Sequence, residues 1–372
     1  MTRTPLRTVA VPAVAALALG MTLTACGAGN ESSSSDDSSS SSSGGASLSG
    51  TLSGAGSSAQ EAAQGAWQAG FQTQNSGVTV NYDPSGSGAG VEQFLAGAVK
   101  FAGSDAYLDD DQLASSKKVC GGETAIEAPD YISPIALVYN LDGVDKLQLS
   151  PDTAAKIFSG KITSWDDPAI KADNPDATLP SQKITPVHRS DDSGTTNNFT
   201  DYLHQTAASA WTAEAGETWP FKSGEGASGT SGVISAVTNG AGAIGYADAS
   251  QAGDLGTASI KVGSDYVGPE ADAAAKAADV SKRVDGRADN DLAIDLDRTT
   301  TEAGAYPLVL VSYFIACPKY DDSNTADLVK GYASYVLSSD GQQAAAKTAG
   351  SAPLPSSLSD DGTKAVEAIT AK

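Results

Sequence analysis

The sequence has 372 residues, of which 40% are hydrophobic, so it is long enough for about two globular domains with sizeable cores. Its formal net charge of −22 at pH 7 argues against binding nucleic acid or anionic lipid by bulk attraction, because both need a basic surface. Any anion site in this chain must therefore work through local geometry against an unfavourable average field.

The first 25 residues have the features of an export signal rather than of a folded domain. Arg3 and Arg7 precede an apolar run, VAVPAVAALALGMTL, which is too short and wrongly flanked for a stable membrane span. The run ends in LTAC, which resembles a bacterial lipobox, with cleavage before Cys26 and lipid attached to the Cys26 thiol. The alternative is an ordinary signal peptide followed by a chance cysteine.

Residues 26–47 are rich in serine and glycine and contain no apolar side chain large enough to build a core. This composition predicts a disordered tether. A flexible coil of this length reaches about 25 Å, so it would hold a globular body near a membrane without pressing it against the surface.

From Leu48 onward, short apolar runs alternate with segments of helical periodicity, which predicts an α/β fold with a largely parallel sheet. In GVEQFLAGAV, for example, Val91, Phe94, Leu95 and Ala98 lie on one helical face. The predicted strands are, in chain order, GVTVNY, YISPIALVYN, ITPVHRS, AGAIGYAD and YPLVLVSYFIAC. The predicted helices are GVEQFLAGAV, the stretch that begins at SGTTNNFTDYL, SGVISAVTN, DLVKGYASYVL and DGQQAAAKTA.

Three segments share one design, in which a strand is followed by a Gly/Ser-rich turn and then by a helix. They contain GAGSSAQE, DPSGSGAG and RSDDSGTT. Each would direct free backbone N–H groups and small hydroxyls from a helix N-terminus toward the ligand side of the sheet. One such turn is also explained by helix capping alone, whereas three in one chain favour an anion site.

The sequence lacks the residue patterns that most enzymes and metal proteins need. It has two histidines, His188 and His204, without metal-ligand spacing, and it contains neither a G-x-S-x-G elbow nor a phosphate-binding P-loop. His188 is interpreted as structural. No catalytic residue, metal or cofactor is therefore expected, and binding is favoured over catalysis.

Two features remain open from the residues alone. Asp105, in FAGSDAYL, follows a short strand-like segment and is most simply a helix N-cap. Cys120 and Cys317 are left over in an exported chain, where they most simply form a disulfide. Two buried free thiols are the alternative for the cysteine pair.

Several motifs in order resemble the phosphate-binding lipoproteins of bacterial phosphate ABC importers. They are GAGSS, GSGAGV, FAGSDAYL, IFSGKITSWDDPAI, RSDDSGTTNNF, GAIGYAD, YPLVLVSYFI and SAPLP, and they cover nearly the whole chain from Leu48. The lipobox and serine-rich tether resemble those of Gram-positive actinobacteria. The resemblance implies a two-lobed, type II periplasmic-binding-protein fold, with two mixed or parallel sheets flanked by helices and a hinge of two crossover strands near residues 131–140 and 306–316.

The resemblance also implies lobe boundaries and ligand residues. Lobe 1 would comprise residues 48–130 and 317–372, and lobe 2 residues 131–316. Phosphate would lie in the cleft between the lobes, and Asp191 would orient an arginine. The implied phosphate-binding residues are Ser58, Ala59 through its backbone N–H, Ser87, Asp105, Arg189, Ser193, Gly194 and Thr195.

Two positions depart from the family pattern. Ser58 stands where threonine is common, and Ala59 stands where a large aromatic residue is usual, so the wall beside the ligand would be less covered. The discriminating residue would be Asp105, because phosphate keeps a proton at neutral pH that an ionised carboxylate can accept, whereas sulfate has none. Arsenate would not be rejected so strongly.

The expected protein is thus a lipid-anchored monomer that binds inorganic phosphate and delivers it to an ABC permease and its ATPase complex. A receptor for sulfate, molybdate or tungstate, a secreted phosphatase that uses Ser193 or Ser58, and an adhesive surface protein are the alternatives.

Overall fold

The computed structural model of the protein describes residues 48–372, so the expected signal peptide, Cys26 and the tether lie outside the described residues. Within the described part of the chain, none of the helices combines the length and the apolar character needed to cross a bilayer. The helices are α1 (Glu61–Gln74), α2 (Ser87–Leu95), α3 (Asp110–Val119), α4 (Pro151–Phe158), α5 (Pro168–Asp173), α6 (Gly194–Thr206), α7 (Gly229–Asn239), α8 (Ala271–Asp279), α9 (Ser323–Leu337), α10 (Ser339–Ala349) and α11 (Ser356–Glu367).

The longest strand has 14 residues, and the other described strands have eight or fewer. The strands are β1 (Ser49–Gly56), β2 (Gly77–Asp83), β3 (Phe101–Ser104), β4 (Ile126–Tyr139), β5 (Gln148–Leu149), β6 (Thr185–Arg189), β7 (Glu225–Ala227), β8 (Ala243–Asp248), β9 (Gly256–Val262), β10 (Asp265–Val267), β11 (Lys282–Arg283), β12 (Ile294–Asp295), β13 (Val309–Ala316), β14 (Lys319–Tyr320) and β15 (Thr370–Ala371).

Eleven strands form one continuous mixed sheet, whose main path runs β2-β1-β3-β13-β4-β8-β6-β7. The pairs on either side are parallel, as predicted: β1 with β2 and β3, and β6 with β7 and β8. We call the side with β1–β3 lobe 1 and the side with β6–β8 lobe 2. The predicted α/β, type II fold is confirmed, and the sheets of the two lobes are joined through β4 and β13.

β4 is the longer of the two crossover strands. Its first part, Ile126–Pro134, pairs with β13, and its last part, Ile135–Tyr139, pairs with β8 of lobe 2. All residues of β4 and β13 are buried, which explains why both read as nearly continuous apolar runs in the sequence. Within the range expected for lobe 2, Asp291 forms a bridge to Glu127, at the lobe 1 end of β4.

Helix α1 shows how the helices attach to the sheet. Its apolar residues recur at three- and four-residue spacing, so that Ala63, Trp67 and Phe71 are buried on one face. The Trp67 indole N–H donates to the Gly341 carbonyl at 2.9 Å, which joins α1 to α10. Cys120, just after α3, and Cys317, just after β13, are joined in a disulfide across 197 residues of sequence.

Two local expectations need correction. The helix expected from Gly90 to Val99 begins earlier, at Ser87, and ends at Leu95, because Gly97 adopts a φ of +74° that terminates the helical backbone. Asp105 does not cap a helix. The cap of α3 is Asp109, whose carboxylate accepts the Gln112 backbone N–H at 2.7 Å.

Candidate functional site

Arg189, the last residue of β6, is a buried cation at the lobe interface with 2% of its surface exposed. Its Nε donates to Asp191 Oδ1 at 2.8 Å, and its Nη2 bonds the second carboxylate oxygen. Asp191 also accepts the Gly229 backbone N–H at 3.0 Å. Burial alone would raise the pKa of Asp191, but the hydrogen bond and charge of Arg189 outweigh it and lower that pKa. Asp191 therefore stays ionised and fixes the guanidinium plane.

The start of α6 supplies Ser193, Gly194 and Thr195. Ser193 is the N-cap, and its hydroxyl accepts the Thr196 backbone N–H at 3.2 Å. Gly194 lies so close to lobe 1 that an added β-carbon would be 2.6 Å from the Ser87 hydroxyl and 3.0 Å from the Asp105 nitrogen. Only glycine allows this approach of the two lobes.

Asp105 directly follows β3 and is the buried carboxylate of the cleft, 3% exposed. Its Oδ2 accepts the Thr195 hydroxyl at 3.0 Å, across the interface. Its Oδ1 accepts the Ser312 hydroxyl at 2.7 Å. Burial raises the pKa of Asp105, whereas hydroxyl groups, including those of Ser312 and Thr195, and the charge of Arg189 oppose that rise. The carboxylate is thus surrounded by donors.

The remaining predicted residues of lobe 1 reach the same interface. The Ser87 hydroxyl, at the start of α2, accepts the Asp105 backbone N–H at 3.2 Å. The Ser58 hydroxyl lies 3.0 Å from the Thr230 hydroxyl and accepts the Thr230 backbone N–H at 3.1 Å. The Ala59 backbone N–H donates to the hydroxyl of Ser57 at 3.1 Å. The structure therefore brings the three predicted Gly/Ser-rich turns together at one interface.

Ala59 leaves no opening despite its small side chain, since it is completely buried. Gln251, from lobe 2, reaches across to it, and its side-chain amide donates to the Ser58 carbonyl at 3.0 Å and to the Ala59 carbonyl at 3.5 Å. Gln251 therefore covers part of the wall that sequence reasoning expected to be less protected.

Asn198 is a polar link that the sequence analysis missed. Its side-chain amide donates to the Asp105 carbonyl at 2.6 Å and to the Gly194 carbonyl at 2.9 Å. The buried Arg298 donates to the Asn198 side-chain oxygen and also to the Val309 carbonyl at 2.7 Å. The start of α6 is thereby tied both to lobe 1 and to crossover strand β13.

Other residues at the interface were missed as well, although one had a visible signal. Thr230 lies in GASGTSG, which repeats the strand, Gly/Ser turn and helix pattern at β7 and α7. Ser57 lies in the predicted turn GAGSSAQE but was not singled out there. Ser312, Gln251 and Glu217 lie in no such motif, because long-range strand pairing and loop packing bring them to the interface.

Apart from its carboxylates, the site consists of hydrogen-bond donors with one arginine, which is a composition that suits an oxyanion. Among residues 48–372, no group of three or more His, Cys, Asp or Glu side chains is arranged to hold a metal ion. His188 packs its ring on Trp219, with the ring centroids 4.9 Å apart, as a structural residue would. A cavity of about 260 Å³ adjoins Asp105, Asn198 and Arg298.

Comparison with protein families gives a match over most of the chain. The family model described as "PBP superfamily domain" matches residues 41–340. Phosphate-binding protein PstS 3 of Mycobacterium leprae is 36% identical over 367 residues, covering 96% of this chain and 98% of that protein. Phosphate-binding protein PstS 2 of Mycobacterium tuberculosis is 38% identical over 375 residues, with the same coverage of both chains.

Solved structures give the same fold. A high-affinity periplasmic phosphate-binding protein, solved with bound phosphate, superposes with a TM-score of 0.70 at 22% identity, covering 84% of this chain and 92% of that one. A phosphate-binding protein from Stenotrophomonas maltophilia superposes with a TM-score of 0.66 at 19% identity, covering 85% and 93%. At these identities the likeness establishes the architecture.

Proposed function

This chain belongs to the PBP superfamily and, within it, to the PstS phosphate-binding proteins, and we propose on that basis that it binds inorganic phosphate between its lobes for delivery to an ABC-type import permease. The observation that carries the proposal is the convergence of Arg189, the start of α6 and the Gly/Ser turns of lobe 1 around the carboxylate of Asp105. Positively polarised helix starts, hydroxyls and one guanidinium are what a phosphate ion needs in a strongly acidic protein.

In this proposal most of the predicted residues donate hydrogen bonds to phosphate. Asp191 fixes the orientation of the Arg189 guanidinium, which offers two parallel N–H donors to phosphate oxygens. The backbone N–H groups of Ala59, Gly194 and Thr195 and the hydroxyls of Ser58, Ser87 and Ser193 complete the donor set. These groups share one function, which is to replace the water shell of the ligand with fixed donors.

Asp105 is the residue that accepts a hydrogen bond from the protonated oxygen of the ligand. A phosphate that retains a proton donates it to the carboxylate, whereas sulfate would place a lone pair against a buried negative charge. A site built around such a hydrogen bond rejects an analogue that lacks it by about 10⁴-fold or more. This chemistry disfavours the alternative of a sulfate or molybdate receptor, and arsenate remains an expected competitor.

We further propose that the protein works outside the cytoplasm, as a monomer tethered through lipid on Cys26. Closure would move residues 48–130 and 317–372 against residues 131–316 about β4 and β13. The acidic composition keeps such a tethered body soluble, and a membrane permease with its ATPase complex would accept the released phosphate.

Isothermal titration calorimetry on ligand-stripped protein tests the binding proposal. We expect one phosphate per chain, and binding about a hundredfold weaker in Arg189→Lys, which loses the bidentate pair. Absence of phosphate binding by the wild-type protein would overturn the proposal. Steady hydrolysis of an aryl phosphate by the same preparation would instead support the phosphatase alternative.

A further inference from the structure

Ser312 is a completely buried residue of β13 whose hydroxyl contacts the candidate site from the hinge. β13 pairs with β4 in regular register except for one irregularity between Ser312 and Tyr313. On its other edge, Tyr313 pairs with Ser104, which places Ser312 beside Asp105 at the end of β3. A local irregularity of this kind changes the direction of a side chain. Here the Ser312 side chain next to it points its hydroxyl at the Asp105 carboxylate.

The two hydroxyls on Asp105 come from different parts of the molecule. Thr195 belongs to lobe 2, so its bond to Oδ2 depends on contact between the lobes. Ser312 lies on the strand that pairs directly with β3, so its bond to Oδ1 belongs to the same sheet as Asp105 itself. The Ser312 bond therefore does not need the lobes to be closed.

We propose that Ser312 is a positioning residue for oxyanion discrimination, which keeps Asp105 ionised and aimed before the ligand arrives. The inference rests on the proposed function, because it concerns how the same site separates phosphate from sulfate. A hydroxyl that donates to Oδ1 favours the charged form of the carboxylate. It also fixes the rotamer of Asp105, so that the remaining lone pairs face the cleft.

The charged neighbours of Asp105 make such support necessary. Burial disfavours its charge, and the carboxyl groups of Asp130 and Glu217 would add like charge near it when ionised. Arg189 is the cation that counters them. Burial, followed by the charge of Asp105, raises the pKa of Asp130 well above its usual range, which disfavours a second negative charge beside Asp105.

Sulfate is the probe that isolates this effect, because it does not change protonation between mildly acidic and mildly alkaline pH. Sulfate binding by the full chain should strengthen as pH falls, since a protonated Asp105 can donate to a sulfate oxygen. In Ser312→Ala the strengthening of sulfate binding should begin at a higher pH, because Asp105 without the Ser312 hydroxyl is protonated more easily. Phosphate binding at neutral pH should weaken about tenfold, which is the usual size of one lost hydrogen bond to a charged group.

The matched control is Ser351→Ala, which removes another buried serine hydroxyl that has no hydrogen-bond partner within the described part of the chain. It should leave both the phosphate affinity and the sulfate pH profile as in the wild type. If Ser312→Ala does not fold, Ser312→Cys replaces it. Its weak S–H donor should give a smaller displacement of the sulfate profile in the same direction.

The outcomes separate this inference from the proposed function. A sulfate profile that stays at the wild-type pH in the Ser312 variant, whatever happens to phosphate affinity, would show that Ser312 only packs and would overturn the inference. Wild-type protein that binds no phosphate would overturn the proposed function itself, and the inference with it.

Discussion

Thr195 donates its side-chain hydroxyl to Asp105 across the lobe interface, with 3.0 Å between the two oxygens. Thr195 lies in the first turn of α6 in lobe 2, and Asp105 directly follows β3 in lobe 1. Contact between the lobes and the electrostatic state of the proposed ligand acceptor are therefore coupled through one hydrogen bond. Neither residue could be assigned this role from its own segment of sequence.

A second interlobe pair, Ser58 with Thr230, predicts an effect on ligand retention. Thr230→Ala removes the hydroxyl that lies 3.0 Å from Ser58, and phosphate should dissociate about tenfold faster with a nearly unchanged association rate. Stopped-flow kinetics measures both rates. Thr238→Ala is the matched control, because Thr238 lies on the same helix and its hydroxyl, within the described structure, donates only to the Ile234 carbonyl of that helix. Equal dissociation rates in the two variants would contradict the prediction.

Glu217 predicts a pH dependence of closure. Its carboxylate lies over the start of α2, where an added β-carbon on Gly88 would be 2.7 Å from Glu217 Oε2. Burial, followed by the charges of Asp192 and Asp105, raises the pKa of Glu217 from 4.5 to about 7. Glu217 therefore holds its proton more tightly in the closed form than in an open or unfolded form. The stabilisation of the closed form by this protonation is fully present below pH 4.5 and is lost as pH rises through about 7.

The variant Glu217→Gln mimics the neutral carboxyl at every pH. We expect it to bind phosphate up to about tenfold more tightly than wild type at mildly alkaline pH, and equally at mildly acidic pH. The ratio of the two dissociation constants at each pH cancels the titration of phosphate itself. Glu214→Gln is the control, since Glu214 is in the same loop but 89% exposed. A ratio that does not change with pH would count against this role for Glu217.

The disulfide between Cys120 and Cys317 predicts an effect on stability without an effect on binding. Replacing both cysteines by alanine should lower the free energy of unfolding by about 2–4 kcal/mol, because the bond closes a loop of 197 residues in the unfolded chain. Phosphate affinity should stay within about twofold, since Cys317 is five residues, or about 16 Å, along the chain from Ser312. Urea unfolding measures the change in the free energy of unfolding. Two free thiols in the intact mass of the wild-type protein would contradict the disulfide on which the prediction rests.

The fold was largely predictable because its signals are local. Apolar runs such as YISPIALVYN and YPLVLVSYFIAC became the crossover strands, and the Gly/Ser-rich turns became helix starts at the interface. The cap interpretation of Asp105 failed for a local reason too, since DAYLDDDQ contains a better cap four residues later, at Asp109.

The site was predictable only in part, because its hydrogen bonds join distant segments. Asp105 and Ser312 are 207 positions apart, and Asp105 and Asn198 are 93 apart. No periodicity in a single sequence reports such pairings. The first depends on the register between β3 and β13, and the second on the packing of α6 against lobe 1. Gln251, which covers Ala59, lies after β8 and is 193 positions from Ser58, so its contact is also invisible in a single segment of sequence.

Calorimetric titration of ligand-stripped protein with phosphate and with sulfate near neutral pH, in parallel with Asp105→Asn, tests the central claim most directly. The account predicts tight phosphate binding and no measurable sulfate binding by the wild type. In Asp105→Asn it predicts weaker phosphate binding and a much smaller difference between the two anions, because the amide can donate to an unprotonated oxygen. Wild-type protein that binds sulfate as tightly as phosphate would contradict it, and the interface would then be an oxyanion site in which Asp105 reads no proton.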